Sequence, residues 1–278
     1  MDDLEFTEEQ VLRYSRHILL SEVDVRGQRK LLGSSVLVVG AGGLGSPALL
    51  YLAAAGVGRL AVADGDAVEM SNLQRQIIHR TADLGRSKVE SARESIEDAN
   101  PDCEVEVHPG RLTAANIRDV VREYDVVLDC SDNFPTRFLV ADCCYFERLP
   151  LVSGAAVRLD GQLMTVLPGD GNPCYRCLAH EPPPPGLVPS CQEAGILGAV
   201  VGVIGTLQAA EALKLLLGIG SLLSDRLLIY GALDCDFETV MRSPDSDCPL
   251  CGAHPSITKL SDHDGACAPR SEREVTRS

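Results

Sequence analysis

The sequence is poor in positive charge. Its 25 lysines and arginines stand against 40 aspartates and glutamates, a formal net charge of −15, whereas a sequence-independent grip on a phosphate backbone needs clustered Lys and Arg. Nucleic acid is therefore not an expected partner, and the acidity reads as a solvated surface of the kind a salt-adapted host would favour. A secretory leader is also missing. Met1-Asp-Asp-Leu-Glu5 opens on acids without a basic start or an apolar core, so a cytoplasmic location is expected. No apolar run reaches about 18 to 20 residues without interruption. The longest, from Gly195 to Leu217, is broken by Gln208, Glu211 and Lys214, which predicts a buried or interfacial helix and no membrane span. There is no internal repeat. The eleven cysteines are odd in number, which argues against a disulfide framework and for metal ligands plus small buried thiols; Cys103, Cys130, Cys143, Cys144 and Cys235 read as core or strand residues.

What is present is an alternation of strand and helix in a chain of 278 residues, 45% hydrophobic, long enough for a sizeable core. Thr7 and Gln10 have capping-box spacing, and Val11, Leu12, Tyr14, Ile18 and Leu19 follow at helical intervals. The β-branched run Ser35-Val-Leu-Val-Val-Gly40 then leads through glycines into a helix over Leu44 to Ala55, closed by Gly56. A second strand, Leu60-Ala-Val-Ala-Asp64, completes a βαβ unit. A helix from about Ser87 to Ala99, a strand near Cys103 to Val107, a helix after Thr113 and the strand Val126 to Cys130 continue the series, which predicts a Rossmann-like, doubly wound α/β fold.

From Leu151 the pattern turns to β. Ala156 to Leu159 and Leu163 to Leu167 flank Asp160-Gly161, a hairpin-turn signal. Strands at Leu227 to Tyr230 and Phe237 to Met241 extend the same sheet, and Pro182 to Pro185 mark an extended crossover loop. The predicted organisation is an N-terminal helical arm over 1–33, a nucleotide-binding region over 34–150, a β region with crossover loop and cysteine knuckles over 151–255, and a disordered tail over 256–278.

Gly40-Ala-Gly42-Gly43-Leu-Gly45 matches G-x-G-x-x-G between strand and helix. Small residues there let the backbone approach a phosphate, and the helix N-terminus favours its charge. Asp64 stands 19 residues beyond Gly45, where a carboxylate accepts hydrogen bonds from ribose hydroxyls. These features leave ATP and NAD equally open.

The next segment is more specific: Asp64-Gly-Asp66-Ala-Val-Glu69-Met-Ser71-Asn72-Leu73-Gln74-Arg75-Gln76. Lys88, Ser131-Asp132-Asn133 and Cys174-Tyr-Arg-Cys177 follow in order. Together they resemble the ThiF/MoeB/HesA family of ubiquitin-activation-like adenylyltransferases, from about Glu8 to Gly252. The resemblance implies that the C-terminal glycine carboxylate of a small ubiquitin-like sulfur-carrier protein, ending in Gly-Gly, attacks the α-phosphate of ATP to give an acyl-adenylate and pyrophosphate. It implies that Gly43 offers backbone near the phosphates, that Asp64 holds the ribose, that Asn72, Arg75 and Lys88 contact phosphates, and that Asp132 binds Mg²⁺. Ser71, Leu73, Gln74 and Asn133 fall in the same matched nucleotide-binding segments. Arg16 matches a family arginine that completes the neighbouring subunit's site, so a homodimer is expected.

Cys174-x₂-Cys177 and Cys248-x₂-Cys251 supply four thiolates for a closed, structural Zn²⁺ site. A redox C-x-x-C is the alternative, without the βαβ context that motif needs. Cys191, in Pro189-Ser-Cys191-Gln-Glu-Ala-Gly195, lies where some relatives carry a cysteine that bonds to the activated carrier; a bystander thiol is the alternative. No rhodanese-like extension follows the knuckle, so a separate sulfur donor is expected. Three rival readings stay open here: an NAD-dependent oxidoreductase, a non-catalytic carrier-binding subunit, and a tRNA-modifying dehydratase of the same superfamily. The pathway served, molybdopterin or thiamine synthesis or another sulfur transfer, is also open.

Overall fold

The computed structural model describes residues 6–169, 171–184 and 194–263. Thr7 caps the first helix as its spacing predicts, with reciprocal bonds to Gln10. The expected continuous helix breaks at Tyr14, however, giving α1 (Glu8–Arg13) and α2 (Ser15–Ile18), followed by α3 (Asp24–Leu32). The break lets the Tyr14 ring turn inward, where it is buried against Gly56 and its hydroxyl accepts from Asn100.

The rest of the chain builds one sheet of eight strands, in the order β3-β2-β1-β4-β5-β6-β7-β8. Strands β1 (Ser35–Val39), β2 (Arg59–Asp64), β3 (Glu104–Pro109), β4 (Val126–Asp129) and β5 (Leu151–Val157) run parallel. The apolar runs of β1, β2 and β4 are continuous because both faces are covered, whereas β3, at the edge, alternates and has no buried residue. Val36, Val38, Leu60 and Val62 pack beneath α4 (Gly45–Ala54), α5 (Lys88–Ala99) and α8 (Gly198–Leu217). Leu37, Val39, Ala61 and Ala63 pack beneath α6 (Ile117–Val121) and α7 (Phe134–Glu147). β6 (Asp160–Val166), β7 (Arg226–Gly231) and β8 (Asp236–Met241) add to this sheet antiparallel, and β8 is exposed along its whole length.

Three expectations need correction. The hairpin turn falls on Arg158-Leu159, with Arg158 at positive φ, and Asp160 is already paired with Val157. Gly161 is a strand residue: a Cβ there would lie 2.4 Å from Ile204 Cγ1, so the glycine admits α8 close to the sheet. Cys235, expected in the core or a strand, is exposed at the β7–β8 turn, whereas Cys103, Cys130, Cys143 and Cys144 are buried. Residues 256–263, expected to begin a disordered tail, lie against the body: Asp262 accepts from the Ala114 amide, and the His263 ring packs edge-on to Phe138.

Helix α8 is the one described helix long and apolar enough to cross a membrane. It buries Val200, Val201 and Ile204 in the core beside α4. Its Gln208 amide donates to the carbonyls of Asp129 and Val152, so the polar residue that interrupts the apolar run ties the helix to the sheet between β4 and β5.

Candidate functional site

The strand order reverses between β1 and β4, and in an open α/β sheet the crevice outside the carboxyl ends of such strands is where ligands bind. The glycine loop leaves β1 there. Gly40 adopts φ +101°, and a Cβ on it would stand 2.7 Å from the Cys130 carbonyl oxygen; a Cβ on Gly45 would stand 1.9 Å from the Gly40 carbonyl oxygen. The loop therefore folds back on itself and against the end of β4, leaving its peptide groups at the mouth of the crevice.

Asp64, at the end of β2, is half-buried and fixes the loop. One carboxylate oxygen accepts from the Ala41 amide at 2.8 Å and the other from the Asp66 amide at 2.9 Å. Burial pushes its carboxyl above the ordinary range, against the pull of Lys88 and of these two amides. Lys88, at the start of α5, is 5% exposed and donates to the exposed carboxylate of Asp66 at 2.7 Å. A buried ammonium beside a carboxylate that can swing into solvent is a cation held ready for an anionic ligand.

The segment after Asp66 forms a short 3₁₀ turn over Met70–Asn72 and passes beside the loop. Asn72 is buried and its amide donates to the Ser71 hydroxyl. Arg75 lies against Gly43, its Cγ 3.4 Å from where a Cβ would stand, and its guanidinium donates to the Ser71 carbonyl. Leu73 is half-buried and Gln74 exposed; the Gln74 carbonyl packs against Gly198 at the start of α8. Beyond β4, Asp132 stands exposed, while the Asn133 side chain is committed as the N-cap of α7, accepting from the Thr136 amide. Asn133, expected to face a cofactor, thus uses its side-chain oxygen as a cap.

Gly40, Gly42, Gly43, Gly45, Asp64, Asn72, Arg75 and Lys88 are thus neighbours, and Asp132 leaves the adjoining strand end. Arg16 is not among them. It is exposed on α2, and the arm is anchored at the other end of α4: Tyr14 packs on Gly56, and Arg13 donates to the Ala99 carbonyl. The ten residues of α4 set the two ends about 15 Å apart. Cys191 lies outside the described residues.

Four residues that sequence reasoning passed over support the crevice. Asp66 pairs with Lys88. His79, 6% exposed, joins Ala41 to α5. Asp129, fully buried, accepts from the Ser131 and Ser153 hydroxyls and pairs with Arg137, whose guanidinium also donates to the Ser131 and Gly154 carbonyls. That clamp fixes the loop leading to Asp132. The signal for it was a buried Asp and Arg flanking Ser131-Asp132-Asn133, but polar residues in register with a strand end carry no mark of burial.

The four cysteines form a second site. Cys174, Cys177, Cys248 and Cys251 lie with their sulfurs all within 4.8 Å of one another, neighbouring pairs at 3.3 to 3.8 Å. Sulfurs at the corners of a tetrahedron with Zn–S near 2.3 Å stand about 3.8 Å apart, so this all-thiol donor set fits the ion. The Asp245 and Cys251 amides point at the Cys177 and Cys248 sulfurs at 3.5 Å each.

The chain matches the ThiF family over residues 14–250. It is 53% identical over 243 residues to the SAMP-activating enzyme E1 of Haloferax volcanii, covering 87% of this chain and 89% of that one. It is 48% identical over 273 residues to the sulfur carrier protein adenylyltransferase of Thermus thermophilus, covering 96% and 100%. The adenylyltransferase and sulfurtransferase MOCS3 of Drosophila yakuba is 49% identical over 262 residues, and the match spans only 58% of its length. The solved structure of E. coli MccB with ATP superposes with a TM-score of 0.74 at 21% identity, over 86% of this chain and 74% of that one, a likeness of fold.

Proposed function

The chain belongs to the ThiF family, and from that premise we propose that it is an adenylyltransferase that uses ATP to activate the C-terminal glycine carboxylate of a small ubiquitin-like sulfur-carrier protein, releasing pyrophosphate. The physical obstacle is repulsion between a carboxylate and a triphosphate. The observation that carries the reading is the ring of groups around the β1–β4 crevice: loop amides, the Arg75 guanidinium, the Lys88 ammonium and the Asp132 carboxylate. Cations and oriented amides favour the pentavalent α-phosphate over separated reactants because charge accumulates there.

In this reading Asp64 receives the ribose hydroxyls, the amides of Gly42 and Gly43 face phosphate, and Lys88 exchanges Asp66 for a phosphate oxygen. Asn72 and Arg75 hold the remaining phosphates. Asp132 would hold Mg²⁺, which when bound offsets the charge of the departing pyrophosphate. The four cysteines would hold Zn²⁺ as a structural ion with no open position. Arg16 serves the site of a second copy, since its own arm docks about 15 Å from its own glycine loop, and exposed Leu12, Leu19 and Leu20 beside it suit burial in a homodimer. The β region over 151–255 receives the carrier, whose sulfur comes from a separate donor in the cytoplasm. The Cys191 thiolate attacks the carbonyl of the acyl-adenylate, breaking its bond to phosphate and releasing AMP as the carrier thioester forms, a role that Cys191→Ala would abolish together with sulfur transfer while sparing adenylylation.

The test is pyrophosphate exchange into ATP, with Mg²⁺ and candidate carriers ending in Gly-Gly. Exchange that requires an intact carrier C-terminus supports the reading, and the carrier that works identifies the molybdopterin, thiamine or other pathway. Absence of exchange with every carrier, from protein that binds ATP, would sink it.

A further inference from the structure

We propose that His79 is a positioning residue for the phosphate-binding loop: its Nε2–H, bonded to the Ala41 carbonyl, turns the Gly42 amide toward the nucleotide. The inference rests on the reading that the triphosphate lies on this loop. The imidazole is buried with both nitrogens engaged, Nε2 at 2.9 Å from the Ala41 carbonyl oxygen and Nδ1 at 2.8 Å from the Ser91 hydroxyl. A carbonyl only accepts, so Nε2 carries the proton. Nδ1 faces the Ser91 hydroxyl, whose single proton is shared between this nitrogen and the neighbouring Asp83 carboxylate. Burial holds the imidazole below its ordinary pKa, helped by the Lys88 charge and opposed by the Ala41 carbonyl and by Asp64 and Asp83.

Ala41 is gripped from two sides, its amide by Asp64 and its carbonyl by His79. A trans peptide is planar, with C=O and N–H pointing opposite ways. Fixing the Ala41 oxygen inward therefore fixes the Gly42 N–H outward, and that N–H donates to no other group among the described residues. Ser91 sits on α5 one turn after Lys88, so the same ring locks the loop to the helix that delivers the ammonium. The amide and the cation are set in register by one side chain that touches neither phosphate nor carrier.

The test compares H79Q with H79N. A glutamine amide nitrogen reaches the place of Nε2 and keeps the donor to Ala41; an asparagine amide reaches only the place of Nδ1. With wild-type protein as reference, H79N is expected to raise the KM for ATP about tenfold in carrier-dependent exchange, the effect of one lost oriented hydrogen bond, while H79Q stays within about threefold. Equal impairment of both variants, or an unchanged KM in H79N, overturns the proposal. A second measurement needs no variant: ¹⁵N imidazole shifts of His79 should report the Nε2–H tautomer between about pH 7 and 8, and an Nδ1–H tautomer there also overturns it. Wild-type protein that binds no ATP would remove the adenylylation reading itself, whereas ATP binding with an indifferent H79N removes only the role of His79.

Discussion

The two halves of the sheet solve the same problem differently. In the parallel half, β1, β2 and β4 are buried on both faces by helices, and burial of apolar surface holds them. The antiparallel half runs out of helical cover, and β8 has no buried residue. Its end is fastened by chemistry instead: the four-cysteine cluster, the bidentate Arg176–Asp142 pair, both side chains 3% exposed, and Arg242, whose buried guanidinium donates to the Thr165, Pro173 and Cys174 carbonyls. Where a core is too thin, a few strong polar links and a cluster of thiols replace many weak apolar contacts. Those links lie away from the crevice, so each half can be disturbed separately.

The largest effect should come from removing the metal proposed for the four cysteines. Chelation is expected to strip amide protection from 174–178 and 245–252 and from β7–β8, because metal-binding energy is folding energy at such a site, while β1, β2 and β4 keep theirs in the same hydrogen-exchange experiment. Loss of protection at the glycine loop as well would break the division. Asp142→Ala comes next: leaving Arg176 buried and unpaired should cost about 3–5 kcal/mol in urea unfolding, whereas a cost near zero would mean that the cysteines alone fasten the extension.

Arg75→Ala probes the other half and should lower kcat for exchange about 10²–10³-fold with little change in unfolding. A variant that melts early would make Arg75 part of the scaffold. The smallest effect is in pH. Burial places His79 below the ordinary 6.5, so as pH falls below that value the unfolded chain takes up a proton that the folded chain refuses. Stability should therefore drop on acidification below 6.5 and be undiminished by this group above it; H79Q should flatten the slope.

Much of the parallel half was legible in the sequence, because β-branched runs, glycines at their ends and 3.6-residue periodicity are local signals. The glycine loop and Asp64 came from spacing, and the cysteine pairs from two matched C-x-x-C knuckles together with the family resemblance. What escaped depends on partners distant in sequence. Gly161 was read as a turn residue because its neighbour Ile204 arrives from a helix more than forty residues later. His79, Asp129 and Arg137 each look like an ordinary surface polar residue until the fold wraps them. Asn133 shared a motif with Asp132, yet the local rule for helix starts claimed its side chain.

The bare strand β8 also has a colloidal consequence. An uncovered sheet edge carrying Phe237, Val240 and Met241 is a template for unwanted pairing with other chains. Asp236 and Glu238 interrupt that row, and two like charges brought opposite one another in a register-matched pair repel. Part of the chain's net negative charge thus serves as a solubility guard, and conditions that titrate or crowd out those carboxylates would turn the exposed edge into a nucleus for precipitation.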